Sequence, residues 1–148
     1  MDLKIKGKNA FITGGTRGLG LASLKSLASE GVNIAFCSRS EDGVNETTKH
    51  LSKLGVKYYG FVHEINSNDK NINELVAKLN NNFGDIDILV NNVGGSLGSS
   101  SLLDNDIETY MNVFNINFWA SVKLMKIYSE KMVTNWLLYT SPSPRDLS

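Results

Sequence analysis

Residues 13–20 read Thr-Gly-Gly-Thr-Arg-Gly-Leu-Gly, a glycine-rich segment from which the class of fold can be inferred. It follows an apolar run over 9–13 that is typical of a buried strand, and it leads into a window from Gly18 whose apolar residues recur at helical spacing. Glycines at such a turn permit a tight bend and let backbone N–H groups approach a pyrophosphate at the positive end of the helix. The stretch therefore predicts a dinucleotide-binding turn, with a purely structural turn as the alternative.

Short β-rich runs and amphipathic windows alternate along the rest of the chain. We predict strands over 9–13, 32–37, 56–65 and 86–90, and helices over 18–30, 43–54, 72–83 and about 105–131. This alternation predicts βαβ units with right-handed crossovers, so the fold class is α/β with a doubly wound parallel sheet. Its ligand crevice should lie at the carboxyl ends of the first and fourth strands. The last predicted helix carries a broad apolar stripe, made of Met111, Phe114, Phe118, Val122, Met125 and Tyr128.

Length and composition exclude several classes of protein. The 148 residues, 41% of them apolar, suffice for one globular domain. Fifteen basic residues balance fifteen acidic ones, so no charged field predicts a nucleic-acid partner. The single cysteine, Cys37, excludes a disulfide framework, and no apolar run suits a membrane span or a signal peptide. We expect a cytoplasmic protein with no nucleic-acid partner, no membrane partner and no metal site.

Arg39 indicates which dinucleotide the crevice would hold. It lies about twenty residues beyond the glycines, after the second predicted strand, where an NAD-binding fold usually carries an acidic residue for the ribose 2′-hydroxyl. An arginine suits the 2′-phosphate of NADP instead, and Arg17 within the glycine turn could reach the same phosphate. The cofactor prediction is therefore NADP rather than NAD. The alternative is a solvated arginine paired with Glu41 or Asp42.

The sequence Asn91-Asn92-Val93-Gly94 ends the fourth predicted strand on the crevice side. Its asparagine side chains could fix the sheet edge and hydrogen-bond a cofactor ribose, while Gly94 would leave room for the nicotinamide. An asparagine-rich turn without function is the alternative, because the chain is rich in asparagine throughout.

The glycine turn, Arg39 and the 91–94 motif, at this spacing, resemble the short-chain dehydrogenase/reductase family, above all its 3-oxoacyl-[acyl-carrier-protein] reductase-like members, over about residues 5–131. The resemblance implies a Rossmann fold, of which this chain holds the N-terminal half to two thirds. It also implies hydride transfer between NADP(H) and a small carbonyl or alcohol substrate, by a parent protein that is a dimer or tetramer. The implied cofactor-binding residues are Gly14, Thr16, Arg17, Gly18, Leu19, Gly20, Arg39, Glu64, Ile65, Asn91, Val93 and Gly94.

The chain departs from the family pattern at three places. Val93 stands where the family usually has alanine, and Glu64 stands where it usually has an aspartate that contacts adenine. Asn117 matches the asparagine of the catalytic set. However, the chain contains no Tyr-x-x-x-Lys: the spacing from Tyr128 to Lys131 is one residue short, and we assign both to the preceding helix. The family's catalytic serine, tyrosine and lysine are therefore absent.

The last residues of the chain differ from the rest in composition. Both prolines of the chain, Pro142 and Pro144, fall within the last seven residues, and Tyr139 and Ser141 are followed by no lysine. The segment 138–146 resembles the translation of a sequencing-library adapter. We divide the chain into a truncated NADP-binding domain over 1–134 and a non-native tail over 135–148, and we expect weak or absent turnover and an exposed apolar sheet edge. The alternatives are a non-catalytic NADP-binding or sensor module, an inactive fragment, or a purely structural α/β domain.

Overall fold

Strands and helices alternate in the computed structural model of the chain, which describes residues 3–96, 98 and 102–134. The strands are β1 (Asn9–Thr13), β2 (Asn33–Ser38), β3 (Tyr58–Val62) and β4 (Ile88–Val90). The helices are α1 (Gly18–Ser29), α2 (Glu41–Leu51), α3 (Asp69–Asn82), α4 (Ile107–Phe114) and α5 (Ala120–Thr134). A 3₁₀ turn (Leu102–Asp104) precedes α4, and a π-helical turn (Asn115–Trp119) joins α4 to α5.

The four strands form one parallel sheet in the order β3-β2-β1-β4. Thr13 at the end of β1 lies opposite Cys37 of β2, and Ile12 lies opposite Val90 of β4. The chain therefore runs outward from β1 in one direction, then crosses back to place β4 on its other side. The predicted α/β class with a doubly wound parallel sheet is confirmed.

Both faces of the sheet are covered by helices, as parallel strands require. On one face, α1 and α2 pack on Ile12, Ile34 and Phe36. On the other face, α3 and α5 pack on Phe11 and Cys37. Burial raises the pKa of the Cys37 thiol to about 12, so the thiol is uncharged in this core.

Capping residues account for most differences between the predicted and observed helix bounds. Gly31, with φ of +78°, follows the end of α1 as predicted. The helix α2 begins at Glu41 rather than 43, because the Ser40 hydroxyl accepts a hydrogen bond from the Gly43 N–H at 3.1 Å. The helix α3 begins at Asp69 rather than 72, because Asn68 caps it through the Lys70 N–H. Strand β3 is shorter than predicted and covers only 58–62 of 56–65.

The helix predicted over about 105–131 is present over 107–134, but it is not a regular α-helix throughout. The Asn115–Trp119 segment is π-helical and separates α4 from α5, and its wider turn rotates the face that follows. The predicted apolar stripe therefore does not form one buried face: Phe114 is 63% exposed and Met111 is 62% exposed, whereas Tyr128 is buried. The buried face of α5 consists of Ala120, Leu124 and Tyr128.

Two sequence predictions concern the end of the chain. Tyr128 and Lys131 both lie within α5, which confirms their assignment to the preceding helix. The predicted tail over 135–148, with Tyr139 and Ser141, lies outside the described residues. In the part of the chain that is described, no helix combines the length and apolar character needed to cross a bilayer.

Candidate functional site

A cleft with a volume of about 410 Å³ opens at the carboxyl ends of the strands, where the sequence predicts the ligand crevice. Strands β1, β2, β3 and β4 all lead into loops that form its walls. The lining residues are Gly14, Thr16, Arg17, Gly18, Ser38, Arg39, His63, Glu64, Ile65, Asn92, Val93, Gly94, Gly95, Ser96 and Ile116.

The cleft gathers most of the predicted site residues but not all of them. Those that line it are Gly14, Thr16, Arg17, Gly18, Arg39, Glu64, Ile65, Val93 and Gly94. Leu19, Gly20, Asn91 and Asn117 are not among the lining residues. The Leu19 side chain is 80% exposed, and Gly20 packs behind the turn.

Sequence reasoning missed six lining residues: Ser38, His63, Asn92, Gly95, Ser96 and Ile116. Ser38 and His63 each directly precede a predicted residue at the end of a strand, so their position was a usable signal. The His63 side chain is buried, and its Nε2 has no hydrogen-bond partner among the described residues. Asn92 belongs to the quoted 91–94 motif, but the prediction named Asn91 instead, and the cleft is lined by Asn92.

The N-terminus of α1 borders the cleft at Arg17 and Gly18. Its cap residue, Arg17, is extended (φ −154°), and its side chain makes no capping hydrogen bond within the described residues. By contrast, α2, α3 and α4 are capped by the side chains of Ser40, Asn68 and Asp106. The first-turn amides of α1 and the positive end of its dipole are therefore available to an anion.

Two glycines shape the turn in different ways. Gly14 has φ of +67°, in the left-handed region that favours glycine. Gly20 lies against the Gly14 carbonyl oxygen and the Asn92 amide, so closely that a Cβ on Gly20 would overlap both. The turn therefore needs Gly14 for its backbone conformation and Gly20 for its packing.

Asn92 fastens the glycine turn to the end of β4. Its Nδ2 donates to the carbonyl oxygens of Thr13 and Gly14, both at 3.1 Å. The Thr13 hydroxyl oxygen accepts from the N–H groups of Asn92 at 2.8 Å and Val93 at 3.0 Å. Asn91 makes no comparable link, since its Oδ1 is buried without a partner among the described residues. Of the two asparagines, Asn92 is the one that holds the turn in place.

Replacing Asn92 by aspartate should destabilise the domain. The carboxylate cannot donate to the Thr13 and Gly14 carbonyl oxygens and would face both of them, which we expect to cost about 2 kcal/mol of unfolding free energy. Urea unfolding followed by circular dichroism measures this cost. The control is Asn82→Asp, because Asn82 donates to the Lys78 carbonyl on the exposed side of α3. Equal losses in the two variants would contradict the role of Asn92.

Arg39 and Glu64 form an ion pair at the end of the cleft built by β2 and β3. The Arg39 Nη1 lies 3.6 Å from the Glu64 Oε1, and both side chains are about two thirds exposed. Nearby, the hydroxyls of Thr16 and Ser38 hydrogen-bond at 2.8 Å. The structure therefore pairs Arg39 with a carboxylate of the next strand rather than with Glu41 or Asp42.

Asn117 holds the loop that follows β4. Its Oδ1 accepts from the Gly95 N–H at 3.0 Å, and its Nδ2 donates to the carbonyl oxygens of Gly95 at 2.7 Å and Val113 at 2.8 Å. A Cβ on Gly94 would lie 2.5 Å from the Asn117 Oδ1. The space beside Gly94, which the sequence analysis reserved for a nicotinamide, is thus occupied on that side by Asn117.

Comparison with known proteins agrees with this arrangement. The chain matches the model of the family described as short chain dehydrogenase over residues 8–136. General stress protein 39 of Bacillus subtilis is 36% identical over 124 residues, which cover 83% of this chain and 43% of that protein. The 3-oxoacyl-[acyl-carrier-protein] reductase of Buchnera aphidicola is 35% identical over 77 residues, covering 52% of this chain and 29% of that protein.

A solved structure shows the same architecture. The L-sorbose reductase of Gluconobacter frateurii, complexed with NADPH and L-sorbose, superposes with a TM-score of 0.82 and 29% identity, covering 91% of this chain and 51% of that one. The chain therefore belongs to the short-chain dehydrogenase family. It spans about half the length of the relatives it matches, and those relatives carry several different names.

The described residues offer no alternative centre based on a metal ion. Nowhere in 3–96, 98 and 102–134 do three or more histidine, cysteine, aspartate or glutamate side chains come together in a group that could hold one. The groups that line the cleft are backbone amides, arginine guanidinium groups, hydroxyls, the Asn92 amide, the His63 imidazole and the Glu64 carboxylate.

Proposed function

We propose that this chain is the cofactor-binding part of an NADP(H)-dependent oxidoreductase that interconverts a carbonyl and an alcohol in a small-molecule substrate. One observation carries the proposal: the uncapped N-terminus of α1, Arg17 and Arg39 line the same cleft. The first suits a pyrophosphate, and the two guanidinium groups suit a further phosphate on the adenosine ribose. The likeness to an L-sorbose reductase complexed with NADPH supports the same reading.

The cleft can be divided according to the parts of the cofactor. The amides at the start of α1, with Gly14 and Gly18, would hold the pyrophosphate, and Arg39 and Arg17 would hold the 2′-phosphate. Glu64 and Ile65 would border the adenine, while Asn91, Val93 and Gly94 would lie toward the nicotinamide ribose. Bound NADPH would supply the hydride.

Asn117 would act as a positioning residue in this scheme. The family resemblance places it in the catalytic set, but both atoms of its side-chain amide bind backbone groups of Gly95 and Val113. These bonds fix the 94–95 loop beside the cleft. We therefore assign to the Asn117 side chain the task of shaping the substrate end of the cleft.

The same proposal includes three finer points from the sequence. The parent enzyme would be 3-oxoacyl reductase-like, its serine and Tyr-x-x-x-Lys would be encoded beyond an interruption of the reading frame, and 135–148 would be a non-native tail. The parent would also be a cytoplasmic dimer or tetramer. Exposed apolar side chains on α4, the π-helical turn and α5 support association of this face: Met111, Phe114, Phe118, Trp119 and Met125.

A non-catalytic NADP-binding module is the second candidate. It is favoured by the absence of a Tyr-x-x-x-Lys sequence anywhere in the 148 residues. Both candidates share the cofactor site and differ in whether the gene supplies the catalytic groups. Reading the genomic sequence beyond the codon for Trp136 separates them: the enzyme requires a serine followed, roughly a dozen residues later, by Tyr-x-x-x-Lys.

Titration of the full chain tests the shared part of the proposal. Adding protein to NADPH should change the nucleotide fluorescence in a saturable way, with weaker binding of NADH as the control. Incubation with NADPH and a panel of ketones should give little or no oxidation, because the 148 residues contain no Tyr-x-x-x-Lys to supply the proton. No saturable response to NADPH would favour a purely structural domain. Robust NADPH oxidation would refute the inference that this chain lacks a working site.

A further inference from the structure

We propose that Glu64 is a specificity-determining residue that weakens the binding of 2′-phosphorylated nucleotides by competing for Arg39. The inference rests on the proposed function and refines it, because it concerns how strongly the same site prefers NADP(H) to NAD(H). Its basis is the ion pair between the Arg39 Nη1 and the Glu64 Oε1, at 3.6 Å across the adenosine end of the cleft.

The two side chains are held opposite one another by the backbone of neighbouring strands. Arg39 directly follows β2, and the His63 N–H just before Glu64 donates to the Ser38 carbonyl at 2.9 Å. The Glu64 carbonyl accepts from the Asn71 side chain at 3.0 Å, which fixes the residue from the α3 side. Both side chains therefore start from anchored backbone and reach into the same part of the cleft wall.

This geometry gives Arg39 two possible anionic partners. A 2′-phosphate carries close to two negative charges at neutral pH, and a guanidinium presents a limited planar set of donors. When the phosphate binds Arg39, Glu64 must either leave or remain as a second anion within a few ångströms of it. A ribose 2′-hydroxyl is uncharged, so binding of NAD(H) requires neither the displacement of Glu64 from Arg39 nor the approach of two negative charges. Glu64 consequently opposes NADP(H) selectively.

The expected size of the effect is modest. Both side chains of the pair are about two thirds exposed. Because water and salt screen such charges, the ion pair can lower NADPH affinity but cannot abolish NADPH binding. Exposed pairs of this kind correspond to an effect of about two- to fivefold in affinity. Arg39 would thus make the site prefer NADP(H) to NAD(H), and Glu64 would reduce the size of that preference.

The test measures NADPH and NADH affinities of the full chain and of Glu64→Gln by fluorescence titration. Removing the carboxylate should raise NADPH affinity relative to NADH affinity about two- to fivefold. Loss of a contact with the adenine would change both affinities alike and leave this ratio unaltered. Glu41→Gln is the matched control, because it removes the same charge from an exposed residue that is also close to Arg39 in sequence but is not its partner. In the Arg39→Gln background, Glu64→Gln should no longer improve NADPH binding.

Four outcomes would overturn the inference. Equal weakening of both nucleotides by Glu64→Gln would mean that the carboxylate contacts the adenine, and an equal gain in Glu41→Gln would mean that only net charge matters. A gain that persists without Arg39 would show that the two residues act independently. In the fourth outcome, the chain prefers NADPH through Arg39 but Glu64→Gln has no effect, which refutes this inference alone. The proposed function fails separately, if the unmodified chain binds NADPH no better than NADH.

Discussion

Gly20→Ala should destabilise the domain by about 3 kcal/mol or more and abolish nucleotide binding. The new methyl group would overlap the Gly14 carbonyl oxygen and the Asn92 amide, which are parts of the turn itself and of its attachment to β4. Neither can move without breaking the hydrogen bonds that hold the turn, so the added volume is costly. Urea unfolding gives the stability, and NADPH titration gives the binding.

Gly95→Ala is the matched control for Gly20→Ala. A Cβ on Gly95 would meet nothing within 4 Å, and this glycine is not in the left-handed region. Its unfolding free energy should stay close to that of the unmodified chain. If Gly20→Ala unfolds at the same urea concentration as Gly95→Ala, the close packing assigned to the turn is incorrect.

Arg39→Ala should weaken NADPH binding by about 10- to 100-fold, because a hydrogen bond from a charged group to a phosphate is worth about 1.5–3 kcal/mol. NADH lacks the 2′-phosphate, so its affinity should change little. The two affinities, measured by fluorescence titration on the same protein sample, give the change in preference directly. Higher salt should reduce the difference, since the side chain is largely exposed.

Lys25→Ala controls for the loss of a positive charge alone. Lys25 is exposed on α1 and does not line the cleft, so its removal should leave both affinities nearly unchanged. Equal loss of NADPH and NADH binding in Arg39→Ala would defeat the assignment of Arg39 to the 2′-phosphate. It would leave Arg39 as a general contributor to the shape or charge of the cleft.

The sheet and its crevice could be predicted because their signals are local. The apolar run over 9–13, the glycines that follow it and the helical spacing beyond Gly18 each act within a few residues. Parallel strands joined by helices then permit few arrangements, so the doubly wound sheet and the place of its crevice followed from general rules. Helix ends were less predictable, because a cap such as Asn68 looks the same in sequence as any loop asparagine.

The contacts that define the site depend on pairs that no local pattern reveals. Asn91 and Asn92 are identical in type and adjacent, and only the direction in which β4 turns its side chains makes Asn92 the partner of the glycine turn. The pairing of Arg39 with Glu64 required the juxtaposition of β2 with β3. The spacing of motifs in the sequence identified most residues of the site. Their hydrogen-bond and ion-pair partners depend on which strands lie side by side in three dimensions.

The π-helical turn shows a different limit. Periodicity predicted one long helix, since the apolar residues fit a single stripe. The structure instead widens the helix at Asn117, whose side chain binds the 94–95 loop and the Val113 carbonyl. Hydrophobic spacing records neither the wider turn nor these hydrogen bonds, so the sequence pattern could not predict them.

The bonds from Asn92 to Thr13 span 79 residues of sequence, which has a consequence for how the protein reaches its folded state. Contacts so distant in sequence can form only when the intervening chain is ordered, at a cost in loop-closure entropy. The glycine turn can thus acquire its final geometry only once β4 has docked beside β1. Any ligand that recognises that geometry binds the docked sheet alone, so its binding energy adds to the stability of the fold. Docking of β4 and occupancy of the cleft are therefore thermodynamically linked equilibria.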